Sequence, residues 1–148
     1  MPVPSVVHEK ELQRVAQQSY VSKAFRVALI DAPGNTFDAN DSFASIMAGE
    51  VEAGKAGYAR QQITFTPSDI GSYDSGKVPL ARKAATFAHD GTPNQTIRFS
   101  HVVMIAPGDS EVVCVTKLAG RATLSDGQVA VFYFDFNLYG VFVAQTGL

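Results

Sequence analysis

The sequence predicts a mainly β protein, an antiparallel β-sandwich of jelly-roll-like kind, preceded by an N-terminal extended arm and a helix. Three observations predict it. After residue 24 the hydrophobic period changes from 3.6 to 2. Six or seven short apolar runs then follow, separated by clusters of Gly, Pro, Asn and Asp. No helical segment of useful length lies between most of those runs, which disfavours a parallel α/β sheet. The expected division is an arm and helix over 1–24 and a β-sandwich domain over 25–148.

Pro2 and Pro4 make the first seven residues an extended arm, because proline fixes φ and turns its predecessor away from helix. Nothing in that arm suggests a core of its own to pack on. From Glu9 to Lys23 there is no Gly or Pro. Leu12, Val15, Ala16 and Ser19 or Tyr20 recur on one helical face, which predicts a helix with a thin apolar stripe. Phe25, Val27 and Leu29 alternate with Arg26, Ala28 and Ile30 as a strand, ended by the turn residues Asp31-Ala32-Pro33-Gly34-Asn35. A short helix is expected over Ser42 to Ala48, with Asp41 as N-cap and Gly49 as its stop. Alternation then predicts strands at Tyr58 to Thr66, Val78 to Phe87, Thr96 to Ala106, Glu111 to Leu118, Gln128 to Phe136 and Tyr139 to Ala144.

The composition narrows the function classes. The chain has 148 residues, 46% hydrophobic and 18% charged, with 12 Lys and Arg against 14 Asp and Glu. That apolar content excludes disorder, and the absence of a basic excess argues against an extended nucleic-acid interface. No window approaches the roughly 18 uninterrupted apolar residues that a membrane helix needs. Met1 to Lys10 lacks the apolar centre of a signal peptide, so the chain is expected to start and stay in a cytoplasm, or in something assembled there. On that ground Asn40-Asp41-Ser42 and Asn94-Gln95-Thr96 are read as turns, not as glycosylation acceptors.

Motifs that could carry chemistry fail on the residues that would perform it. Gly49 to Ala56 has the glycine spacing and lysine of a phosphate loop, but Ala56 stands where Ser or Thr would hold magnesium, and Glu50 and Glu52 would repel phosphate. Asp38, Asn40 and Ser42 begin like a calcium loop, yet Phe43 occupies the glycine position. His8, His89 and His101 form no metal-ligand spacing. Cys114, within Val112, Val113 and Val115, reads as a small buried residue. No serine sits in a nucleophile-elbow pattern. No catalytic residue, cofactor or metal site is therefore expected, and recognition by surface is what remains.

The stretch Val129 to Val143 bears on that surface. It holds Phe132, Tyr133, Phe134, Phe136, Tyr139 and Phe142 and only one charge, Asp135. Alternation sends Val129, Val131 and Tyr133 one way and Ala130, Phe132, Phe134 and Phe136 the other, so both faces are apolar. Either the N-terminal helix or the 38–48 segment covers the second face, or another subunit does.

The run Glu50-Val51-Glu52-Ala53-Gly54-Lys55-Ala56-Gly57-Tyr58-Ala59-Arg60 into Gln61-Gln62-Ile63-Thr64-Phe65 resembles a pattern of small virion proteins of tailed bacteriophages, with Gly57-Tyr58-Ala59-Arg60 its most specific part. A second strand end in Thr-Phe (Ala84-Ala85-Thr86-Phe87), the strand and turn from Ile97 to Gly108, Leu118-Ala119-Gly120 and Ser125-Asp126-Gly127-Gln128 follow in order over about 25–140. Three departures stand out: the arm and helix ahead of the first strand, Ile97-Arg98-Phe99 where a tryptophan is expected, and a longer, more aromatic last strand. The resemblance implies a non-enzymatic β-sandwich of the virion, made in the host bacterial cytoplasm. It would be a capsid decoration or cement protein bridging major capsid subunits, acting as a homotrimer and touching neither nucleic acid nor membrane. A tail, baseplate or fibre-associated module is the alternative. A carbohydrate-binding sandwich is a weaker one, since the chain has no tryptophan. The expected partner contacts are Arg60, Tyr58, Tyr133, Phe134 and Tyr139. Arg60, on the strand face of Tyr58 and Gln62, is read as either a solvated edge charge or a buried ion-pair partner.

Overall fold

The computed structural model describes the backbone of residues 2–6, 9–139 and 141–145, and the side chains of 10–136. The protein is mainly β, 44% strand and 17% helix, with antiparallel sheets that do not close on themselves. In chain order the elements are β1 (Pro2–Val6), α1 (Glu9–Tyr20), β2 (Phe25–Ile30), α2 (Phe43–Met47), β3 (Gln61–Ile63), β4 (Lys77–Ala88), β5 (Ile97–Ile105), β6 (Val112–Leu124), β7 (Val129–Tyr139) and β8 (Val141–Gln145). They form a four-stranded sheet in the order β3-β2-β5-β6 and two strand pairs, β1-β8 and β4-β7. The chain divides into two compact units. One comprises Met1–Lys23, Thr64–Lys83 and Tyr133–Leu148, the other Ala24–Ile63 and Ala84–Phe132.

In the first unit the arm has a partner that the sequence did not suggest. Pro2–Val6 pairs antiparallel with Val141–Gln145, from Pro2 opposite Gln145 to Val6 opposite Val141. Proline is tolerated there because a two-stranded ribbon leaves one side of each strand without ladder partners. Helix α1 buries Leu12 and Ala16 of its stripe against Val78, with Ile70 and Tyr73 packed alongside. Phe65 meets Tyr20 and Phe136 edge to face at 6.0 and 6.1 Å. Lys83 reaches over the Phe65 ring to pair with Asp69 at 2.8 Å.

The second unit is built on the four-stranded sheet. Strand β5 lies at its centre between β2 and β6 and is buried at every position except Arg98. A core of Ala28, Ile30, Val103 and Ile105 sits under Ile46 of α2, with Phe37, Phe43, Met47, Val112 and Val115 packed against it. Each such large side chain contributes about 1.5–3 kcal/mol when fully buried. Helix α2 is shorter than expected, and its N-cap is Ser42, whose Oγ accepts the Ser45 N–H at 3.1 Å. Asp41 is not free to cap, because its carboxylate accepts the Asp38 N–H at 2.7 Å in the preceding turn.

The expected strand over Tyr58 to Thr66 shrinks to Gln61–Ile63, which pairs with Phe25–Val27. Beyond Val27, other groups take over the edge of β2. The Leu29 carbonyl accepts from Val51 N–H at 3.0 Å, and the Asp31 N–H donates to the Gly49 carbonyl at 2.8 Å. Gly49 is required at this approach, since a Cβ there would lie 2.8 Å from the Asp31 carbonyl oxygen.

Candidate functional site

The Gly57-Tyr58-Ala59-Arg60 element folds into a polar cluster of the second unit. Tyr58 is only 4% exposed. Its ring stacks on Phe87 at 6.0 Å and 17°, and its hydroxyl donates to Glu50 Oε2 at 2.9 Å. The same hydroxyl accepts the Leu29 N–H at 3.1 Å, so a side chain satisfies the β2 donor that β3 stops short of. Arg60 closes the cluster as a two-point pair, Nε to Glu50 Oε2 and Nη2 to Oε1, both at 2.8 Å. Arg60 is thus a half-buried ion-pair partner, the second of the two roles the sequence left open.

The electrostatics follow from that geometry. Burial alone raises the Glu50 carboxyl, but the hydrogen bonds from Arg60 and Tyr58 and the Arg60 charge outweigh it and hold the carboxyl below its ordinary range. Burial pushes the Tyr58 hydroxyl up; the Leu29 N–H works against this, and the Glu50 charge adds to it. The Glu50 hydrogen bond raises the Arg60 guanidinium further. A shallow cleft of about 630 Å³ lies over Arg60 and Tyr58, also lined by Arg26 and Glu50. Arg26 is engaged with Asp109 at 3.3 Å. The three groups, Glu50, Tyr58 and Arg60, satisfy one another's hydrogen bonds and so fix the loop beside β2.

Glu50 is the member that sequence reasoning missed, because it was weighed as an acid inside a failed phosphate loop and never as a partner of Arg60. The signal was present in the same run: one carboxylate ten residues before the arginine, across a glycine turn.

The other expected contacts lie on β7. Tyr133 is 63% exposed, under the Arg82 guanidinium at 5.6 Å. Arg82 in turn forms a two-point pair with Asp135, both bonds 2.9 Å, on the exposed surface. Phe134 is buried and stacks parallel to Phe136 at 6.3 Å, so its ring belongs to the interior of the first unit. Tyr139 ends β7, and its side chain lies outside the described residues. In the second unit Val129 and Val131 are 55% and 42% exposed, whereas Phe132 packs edge to face on Phe87 and Phe99. The structure therefore joins Tyr58 to Arg60 through Glu50, and it separates Tyr133 from Phe134 onto opposite faces of one strand.

A serine and a histidine do meet. Ser100 Oγ lies 2.7 Å from His101 Nδ1, and His101 Nε2 lies 3.1 Å from the Asn35 carbonyl. That carbonyl can only accept, so Nε2 carries a proton toward it. Both residues are buried, and Ser100 also accepts the Ala32 N–H at 2.8 Å, which makes the pair a strap between β5 and the loop after β2. Among the described residues no three His, Cys, Asp or Glu side chains converge as metal ligands, and no helix is long and apolar enough to cross a membrane. In comparisons with known proteins, no family model and no curated protein matches the chain.

Proposed function

We propose that this chain is a non-enzymatic structural protein of a tailed-bacteriophage virion, a decoration or cement protein that bridges and stabilises major capsid subunits as a homotrimer. In this reading its sheets belong to a β-sandwich of the jelly-roll-like kind. The observation that carries the proposal is the outer row of β7, where Val129 and Val131 stand in water on the face opposite Phe132, with Tyr133 two residues further along. Apolar side chains at successive outward positions mark a surface that another subunit covers. Closed rotational symmetry would repeat that row in each copy, and a shell of repeated weak contacts gains strength through multivalency without a deep pocket. The resemblance around Gly57-Tyr58-Ala59-Arg60 supports the same reading, with Glu50 and Arg60 fixing the loop that presents it.

The test is binding to shells and copy number. The chain should bind expanded, assembled shells and not free capsid protein, and quantitative mass spectrometry of purified particles should count it in hundreds of copies. A count of a few to a few dozen would move it to the tail, baseplate or fibre. Its absence from purified particles would end the virion reading.

A further inference from the structure

Strand β6 pairs with β5 on one side, and among the described residues no strand pairs with the other. At its start the ladder slips: Cys114 lies opposite Met104, and Val112 opposite Ile105, which leaves Val113 as an extra, bulged residue. The bulge changes the alternation, so Val112 and Val115 both turn toward the core under α2 while Val113 remains 38% exposed. Between this edge and the 37–46 segment runs an open groove of about 500 Å³. Its apolar lining is Phe37, Phe43, Ile46, Val112, Val113 and Val115.

The polar lining is acidic and includes no cation. Asp38, Asp41 and Glu111 border the groove. Asp41 and Asp38 each use one oxygen on a loop N–H, at 2.7 and 2.8 Å, and among the described residues none of the three carboxylates has an ion-pair partner. The nearby Lys117 is held on Thr36 at 3.1 Å and does not line the groove. An exposed edge beside an apolar trough is the geometry of strand addition, in which main-chain bonds supply affinity and alternate side chains supply specificity.

We infer that this groove docks an extended polypeptide segment of a partner protein, one that adds to the β6 edge at Val112–Lys117 and carries both apolar side chains and Lys or Arg at the alternate positions that face the groove. The apolar side chains fill the trough over Phe37 and Phe43, and the cations meet Asp38, Asp41 and Glu111. Charge selects this occupant over a second copy of the chain. Edge-to-edge pairing of two β6 strands brings a second set of the same carboxylates to the sheet instead of the cations the rim lacks. The inference goes beyond the virion reading and holds whether or not that reading does.

The probes are three capped heptapeptides titrated into the full ¹⁵N-labelled chain: Lys-Thr-Val-Thr-Val-Thr-Lys, which puts lysine and valine on one face, the same peptide with glutamate for lysine, and the lysine peptide N-methylated at every residue. The lysine peptide should shift the amides of Val112–Lys117 and Phe43–Met47 and bind about tenfold more tightly than the glutamate peptide. The N-methylated peptide should not bind, because its main chain cannot donate to the edge. The exposed double variant Asp41→Lys, Glu111→Lys should reverse the preference. Shifts confined elsewhere, equal binding of the lysine and glutamate peptides, or unimpaired binding of the N-methylated peptide would each overturn the inference. So would a peptide-free dimer with the 112–117 amides already protected, which would give the edge to a second copy.

Discussion

Strands β5 and β6 lie side by side in one antiparallel sheet, yet β5 is buried at all positions but Arg98 while β6 is fully buried only at Leu124. Both contain runs of valine and other apolar residues, so hydrophobicity does not separate them. Position does. β5 has a strand on each side and Ile46 and the Phe99–Phe132 contact over its faces, whereas β6 has a neighbour on one side and two irregularities in its ladder. The larger irregularity places Leu118 to Arg121 opposite Ser100 alone, and Arg121 leaves the ladder to pair with Asp31. An apolar run in the middle of this sheet builds the core; the same kind of run at its edge builds a surface.

Mutation can break that contrast. The largest effect is expected at Phe99→Ala in the centre, a loss of about 3–5 kcal/mol in urea unfolding from lost transfer energy plus a cavity. If it fell below about 1 kcal/mol (roughly a fivefold change in stability), the centre would be no better packed than the edge. Tyr58→Phe comes next. It leaves the Leu29 N–H buried without an acceptor, at about 1–3 kcal/mol, again read from urea midpoints. Smallest on β6 is Val113→Ala, within about 0.5 kcal/mol. Arg82→Ala on the exposed face of β4 should leave the thermal midpoint unchanged, because water already screens its pair with Asp135.

A pH series sharpens the same contrast through Glu50. Its folded-state pKa lies below the ordinary 4.5, so its stabilising contribution is complete above that value and is lost as pH falls through the folded value. The stability gap between the native chain and Glu50→Gln should therefore be widest near neutrality and narrow steadily below about pH 4.5. A gap independent of pH would show that the Arg60 and Tyr58 bonds do not favour the ionised carboxylate.

Local pattern was enough for some of this. Phe25–Ile30 is legible residue for residue, since β propensity, alternation and the Asp31 to Asn35 turn agree. So is the Leu12 and Ala16 face of α1, and the outward set Val129, Val131 and Tyr133 follows from period two alone. What was not legible depends on partners distant in sequence. The arm looked unattached because β8 lies more than 130 residues away. Tyr58 to Arg60 left the expected strand because Glu50 and Leu29 claim their polar groups. Cys114, expected to be buried among valines, is only half-buried because β6 is an edge; burial still pushes its thiol up. The strand expected to end at Leu118 runs on to Leu124 through an irregularity at Leu118 to Arg121.

A subunit contact on the outer row of β7 would show in the mass of the protein in solution. Light scattering on the full-length chain, beside a Val129→Glu, Val131→Glu double variant, tests it most directly. A contact there gives a native mass near three times 15.8 kDa and a variant that keeps its fold by circular dichroism but runs as a monomer. A native chain that is monomeric at all concentrations, or a variant that remains a trimer, would contradict it.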